Sequence, residues 1–98
     1  MDPMIDTLIC ATDKIAMGAM MYLKDCKKRI PEDVQLAGFG DNLVAKVCDP
    51  KLTSVHFYYQ TSGEEAAKML VNMIEDSQQV RKEIKMGYQI VKAGTLRE

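Results

Sequence analysis

The stretch Thr7-Leu-Ile-Cys-Ala-Thr-Asp-Lys-Ile-Ala-Met-Gly-Ala-Met-Met-Tyr-Leu23 decides the fold. An apolar run of strand length stops at the polar pair Thr12-Asp13 and restarts with helical spacing. Leu8 to Ala11 are apolar without alternation, which predicts a strand covered on both faces. Ala16, Met20 and Leu23 recur at i, i+4 and i+7, one stripe of a helix. Thr12 and Asp13 therefore stand where strand becomes helix. In an open parallel sheet that carboxyl edge is where ligands bind, because loops and helix N-termini converge there.

Working outward, Met1 to Asp6 is a short lead whose Pro3 cannot donate a ladder hydrogen bond. The helix carries Asp13 at its start and Lys24, Lys27, Lys28 and Arg29 at its end, complementing the macrodipole at both poles. Pro31 is expected to force its stop. Val34 to Phe39 reads as a second buried strand entering the loop Gly40-Asp41-Asn42. This is a βαβ unit with parallel strands and a right-handed connection, so Thr12, Asp13 and the 40–42 loop emerge at one sheet edge. A short helix is expected between Asn42 and Asp49, ended by Pro50. Leu52 to Phe57 is β-branched and aromatic enough for a third strand. Ser62-Gly-Glu-Glu65 matches a capping box, and Ala67, Leu70, Val71 and Ile74 make the apolar stripe of a second long helix. The polar stretch Glu75 to Glu83 breaks it. Ile84, Met86, Tyr88 and Ile90 then alternate with Lys85, Gly87 and Gln89, the pattern of an edge strand.

Ninety-eight residues allow one small domain, which buries only about 60 to 65% of its unfolded surface. Thirteen basic against fourteen acidic residues leave a net charge of −1, so there is no basic field for nucleic acid. No apolar run approaches membrane-spanning length and no signal-like start is present, so the expected setting is the cytoplasm, away from membranes. Cys10, Cys26 and Cys48 are odd in number and lack metal-ligand spacing, which points to reduced thiols. Gly38-Phe-Gly40 lacks the third glycine of a dinucleotide loop, and no cofactor is expected. No enzyme constellation stands out. The single histidine, His56, reads as a strand residue pointing to solvent or to a ligand cleft. Asp13 reads as a helix cap first and a ligand contact second, whereas Asp41, in a loop, fits turn chemistry and ligand contact equally well. The eight methionines fit core or subunit packing.

Three segments, in order, carry a resemblance. Ala11-Thr-Asp-Lys-Ile-Ala-Met-Gly-Ala19, Pro31-Glu-Asp-Val-Gln-Leu-Ala-Gly-Phe-Gly-Asp41 and Pro50-Lys-Leu-Thr-Ser-Val55 resemble the C-terminal part of the LacI family of bacterial transcriptional repressors. The similarity continues to Gly87-Tyr-Gln-Ile-Val-Lys-Ala-Gly-Thr95, and Leu36 to Gly40 with Gly87 to Val91 look like sucrose operon repressors. The resemblance implies an α/β parallel-sheet sandwich of the periplasmic-binding-protein-like type I effector domain, here a partial domain. Residues 1–57 would be a βαβ unit and hinge strand, 58–83 a crossover and helix of the other lobe, and 84–98 the returning strand. A helix-turn-helix headpiece that binds operator DNA is expected outside this chain. The implied partners are a small sugar or sugar-phosphate effector and a second copy of the chain in a homodimer. The implied function is reversible effector binding without catalysis. The alternative is a periplasmic-type or standalone sugar-binding module.

Matched position by position, the family's cleft residues are Thr12 and Asp13. The family's main hydroxyl-binding aspartate falls at Gly40, with Asp41 next to it, so Asp41 is expected to take over that part through a shifted loop or to yield it to another group. The family's hinge glutamine is Phe57, which suits stacking on a sugar face. Met17, Met21 and Cys48 match subunit-contact positions.

Overall fold

In the computed structural model, which describes residues 6–75 and 82–97, the opening stretch forms a strand, a one-residue cap and a helix. The strand β1 is Thr7–Ile9 and the helix α1 is Asp13–Asp25. Then follow β2 (Gln35–Phe39), the short helix α2 (Leu43–Val47), β3 (Thr53–Phe57), the long helix α3 (Tyr59–Glu75) and β4 (Tyr88–Val91). The four strands form one sheet in the order β1-β2-β3-β4. β1 pairs with β2 in parallel through Leu8 and Leu36, and β2 pairs with β3 in parallel through Gly38 and Ser54. The α/β class and the parallel pairing thus match the sequence reading.

The chain divides into two compact units, one of Met1–His56 with Gln89–Glu98 and one of Phe57–Tyr88. The core of the first unit joins Cys10, Ala16, Met20, Leu36, Ala45 and Leu52. Ala16 and Met20 of α1, one turn apart on one face of the helix, belong to that cluster together with Leu36 of β2. β1 departs from expectation, for its three residues are all exposed and Ile9 is 66% accessible. Among the described residues it is an edge strand, paired with β2 alone.

α1 also ends differently from the sequence reading. Lys27 adopts a left-handed conformation (φ 59), its amide donates to the Lys24 carbonyl, and the Lys28 amide donates to the Leu23 carbonyl. This pair of bonds is a Schellman motif, so the helix stops at Asp25, well before Pro31. The C-terminal segment fastens the opposite end of the sheet from the β1–α1 turn. Thr95 is fully buried; its carbonyl accepts from the Leu36 amide (3.1 Å) and its hydroxyl accepts from the Thr53 amide (2.9 Å). Arg97 then reaches the Asp6 carboxylate (2.7 Å) and the Pro31 carbonyl (2.9 Å), while its amide meets Gln35 Oε1 (2.8 Å).

In the second unit α3 begins at Tyr59, one turn before the proposed capping box. The Ser62 amide donates to the Tyr58 carbonyl, so Ser62 is a helical residue, and Glu65 pairs with Lys68 (3.5 Å) in place of a cap. Nothing in Tyr58-Tyr-Gln-Thr61 breaks a helix, which is why the first turn extends upstream. None of its residues is buried. The edge strand expected from Ile84 is shorter, beginning only at Tyr88. The lead with Pro3 and most of the polar stretch after Glu75 lie outside the described residues. Among the described residues no helix is long and apolar enough to cross a membrane.

Candidate ligand-binding edge

At the carboxyl ends of β1 to β3 the chain builds a polar cluster around Asp13. Thr12, extended at φ −142 and ψ 163, is the N-cap of α1, its hydroxyl accepting from the Ile15 amide (3.2 Å). Asp13 is therefore the first helical residue, displaced from the cap by its neighbour, and its side chain turns inward with no accessible surface. A buried carboxylate is costly unless its oxygens are hydrogen-bonded. Here the Ser54 hydroxyl donates to Oδ1 (2.7 Å) and the Asn42 amide donates to Oδ2 (2.8 Å), and the N-terminal end of α1 favours the negative charge.

Room for Asp13 comes from Gly38. A Cβ at that position would lie 2.5 Å from Asp13 Oδ1, closer than Cβ atoms are found, and a tight 3.3 Å from Leu52 Cδ2. The β2–β3 register sets Gly38 opposite Ser54, so the hydroxyl and the gap fall side by side.

The loop leaving β2 turns through two residues of positive φ, Gly40 at 123° and Asp41 at 51°. Glycine adopts this region readily and aspartate with less penalty than most residues. Three successive amides are then satisfied inward. Gly40 donates to the Val55 carbonyl (2.9 Å), Asp41 to Ser54 Oγ (2.8 Å) and Asn42 to Asp13 Oδ2. Because the Ser54 proton goes to Asp13, its oxygen is left to accept from Asp41. The result is a relay from Asp13 through Ser54 to the Asp41 backbone.

The Asp41 side chain is only 8% exposed. Its Oδ2 lies 3.1 Å from His56 Nδ1 and 4.0 Å from Lys46 Nζ. His56 is about one-third exposed and Lys46 largely exposed, so the edge presents Thr12, Asn42, Lys46 and His56 over a buried pair of carboxylates.

Of the residues singled out in the sequence, Thr12, Asp13, Gly40 and Asp41 come together. Asp13 has its two oxygens engaged inside the protein, which makes it an organiser of the loop. Phe57 ends β3 and opens the second unit, where its ring meets Tyr59 edge-on with centroids 6.1 Å apart. Met17 and Cys48 lie half-buried against the core of their own unit, the Cys48 thiol facing the Pro50 carbonyl (3.3 Å). Met21 is 65% exposed. Ser54 and Lys46 were missed by sequence reasoning, whereas Asn42 was expected in the edge loop and His56 was read as facing solvent or a ligand cleft. One signal was available for Ser54: a hydroxyl inside an otherwise buried strand needs a partner. Among the described residues no three His, Cys, Asp or Glu side chains gather as a metal site would require.

Comparison with known proteins gives this edge its context. Residues 2–96 match the family of the periplasmic binding protein-like domain. The chain is 39% identical over 67 residues to the HTH-type transcriptional regulator RegA of Clostridium saccharobutylicum, covering 68% of this chain and 20% of that protein. It is 32% identical over 95 residues to the HTH-type transcriptional regulator IdnR of Escherichia coli, covering 97% of this chain and 29% of that protein. The structure of a CelR transcriptional regulator in complex with cellobiose superposes with a TM-score of 0.89 at 27% identity, over 95% of this chain and 28% of that one. The chain thus spans between a fifth and a third of the length of these relatives. The structure of a LacI-type transcription regulator from Bifidobacterium animalis is also similar, with a TM-score of 0.84 at 26% identity over 95% of this chain and 33% of that one. The chain belongs to the periplasmic binding protein-like domain family.

Proposed function

We propose that this chain is part of the effector-binding domain of a LacI-type transcriptional repressor and that its effector is a small sugar of the sucrose class. The observation that carries this reading is the relay Asp13–Ser54–Asp41, which fixes the backbone of the 40–42 loop at the sheet edge where such folds take ligands. Thr12, Gly40 and Asp41 are the contacts proposed for the effector in the first unit. Asp13 holds them in place from below. Phe57 belongs to the second unit and is not assigned to this edge. The chemistry is reversible binding, with no bond made or broken. In the whole protein it would bias an equilibrium between DNA-competent and DNA-incompetent states. Operator binding would belong to a helix-turn-helix headpiece in the cytoplasm, and pairing of two copies would involve Met21 with the outer flanks of Met17 and Cys48. The cellobiose complex of a relative supports a sugar as effector. Likeness of Leu36 to Gly40 and Gly87 to Val91 to sucrose operon repressors makes sucrose the first ligand to try.

An amide-resolved NMR titration of the chain with sucrose and cellobiose tests this. The edge described encloses little of a disaccharide, whereas tight small-molecule sites bury about 70 to 90% of their ligand. Millimolar affinity is therefore expected, with shifts concentrated at Thr12 and 40–42 and lost in Asp41→Ala. Shifts elsewhere, or unchanged binding by Asp41→Ala, would overturn the assignment.

A further inference from the structure

We propose that His56 is a positioning residue for the Asp41 carboxylate, holding Oδ2 so that Oδ1 is presented as an acceptor to a hydroxyl of the effector. This rests on the reading of Asp41 as an effector contact. The imidazole Nδ1 faces that oxygen at 3.1 Å as an ion-pair contact, and because a carboxylate can only accept, the proposal requires a proton on Nδ1. Lys46 shares the same oxygen at 4.0 Å, but its side chain is 63% exposed, and such a contact is worth little in water. Orientation therefore falls to His56. Its place on β3 matters as well. Ser54 and His56 are two residues apart on one strand and so share a face, where Ser54 Oγ accepts the Asp41 amide and His56 meets the Asp41 carboxylate. One strand grips both ends of a residue held at φ 51. Oδ1, by contrast, accepts no hydrogen bond among the described residues. An acceptor-only carboxylate oxygen suits a sugar hydroxyl, a donor, and repels a phosphate or carboxylate.

The chain has one histidine, so long-range proton–nitrogen NMR of the ring reads His56 alone. The expected spectrum of the intact chain is that of a protonated Nδ1, shifting toward a free-imidazole mixture in Asp41→Asn. His56→Ala should displace the Asp41 and Asn42 amide signals and weaken the response to millimolar cellobiose or sucrose on the order of tenfold, the loss of about one hydrogen bond. His56→Gln, which keeps a donor, should restore both. Inorganic phosphate should give no shift at Asp41. A bare Nδ1, a ring spectrum indifferent to Asp41→Asn, or loop amides unmoved by His56→Ala would overturn the positioning. Phosphate shifts larger than those from sugar would overturn the ligand class. If His56→Ala fails to fold, the ring spectra of the unsubstituted chain and Asp41→Asn decide alone. A protonated Nδ1 coupled to Asp41 with no response to any sugar would refute the effector reading while upholding His56 as the holder of Asp41.

Discussion

Replacing Asp13 by Asn tests whether the buried carboxylate organises the edge. The variant keeps the shape of the side chain and removes its charge. At present Ser54 donates to Oδ1 and the Asn42 amide to Oδ2, at 2.7 and 2.8 Å, with no solvent contact at the residue. Asparagine can accept one of these bonds, but its amide nitrogen then faces the other donor. One charge-assisted bond is lost, at about 1.5 to 3 kcal/mol. Asp13→Ala loses both and strands the Ser54 hydroxyl, so it should cost more, about 3 kcal/mol or above. Against a total stability of about 5 to 15 kcal/mol for a chain of this size, either loss is large. Urea unfolding followed by circular dichroism measures it, and a loss of about 2 kcal/mol lowers the midpoint by about 1 M or more when the slope is about 1 to 2 kcal/mol/M. A cycle with Ser54→Ala should show coupling between the two sites of about 0.5 to 3 kcal/mol. If Asp13→Asn stays within about 0.5 kcal/mol of the unsubstituted chain, the range of an ordinary surface change, the relay does not hold the loop.

Gly38→Ala should destabilise by about 1 to 3 kcal/mol, since the new methyl meets Asp13 Oδ1 at 2.5 Å; an unchanged unfolding midpoint would contradict the close approach. Thr95→Val removes the acceptor of the Thr53 amide in a fully buried place and should cost about 1 to 3 kcal/mol by the same assay. Cys26 is exposed whereas burial raises the Cys10 thiol above its ordinary pKa, so thiol titration should label Cys26 rapidly and Cys10 only on unfolding. Hydrogen bonds from the Arg29 side chain and amide lower Asp33 to about 2. Its contribution is complete above the ordinary aspartate value of 3.8 and fades as pH falls toward 2, so the stability gap between the unsubstituted chain and Asp33→Asn should close over that interval and stay constant above it.

Local pattern was enough for the order of elements, the parallel β1–β2 pairing and the meeting of Thr12, Asp13 and the 40–42 loop, because strand and helix periodicities and the geometry of a βαβ crossover act over short stretches of chain. The same pattern misplaced helix boundaries where tertiary or backbone detail prevailed: Lys27 ends α1 through a left-handed turn no composition signals, and Tyr59 begins α3 ahead of a plausible cap. What each polar residue does was decided only in three dimensions. Asp13 and Asp41 look alike in sequence, yet one is wholly buried on Ser54 and Asn42 and the other turns toward His56 and Lys46. Ser54 lies 41 residues from Asp13 and Thr95 lies 42 from Thr53, separations at which sequence pattern carries no information about contact. Those long-range bonds exist because buried polar groups must find partners wherever the fold brings them, and only the folded backbone determines which partners are near.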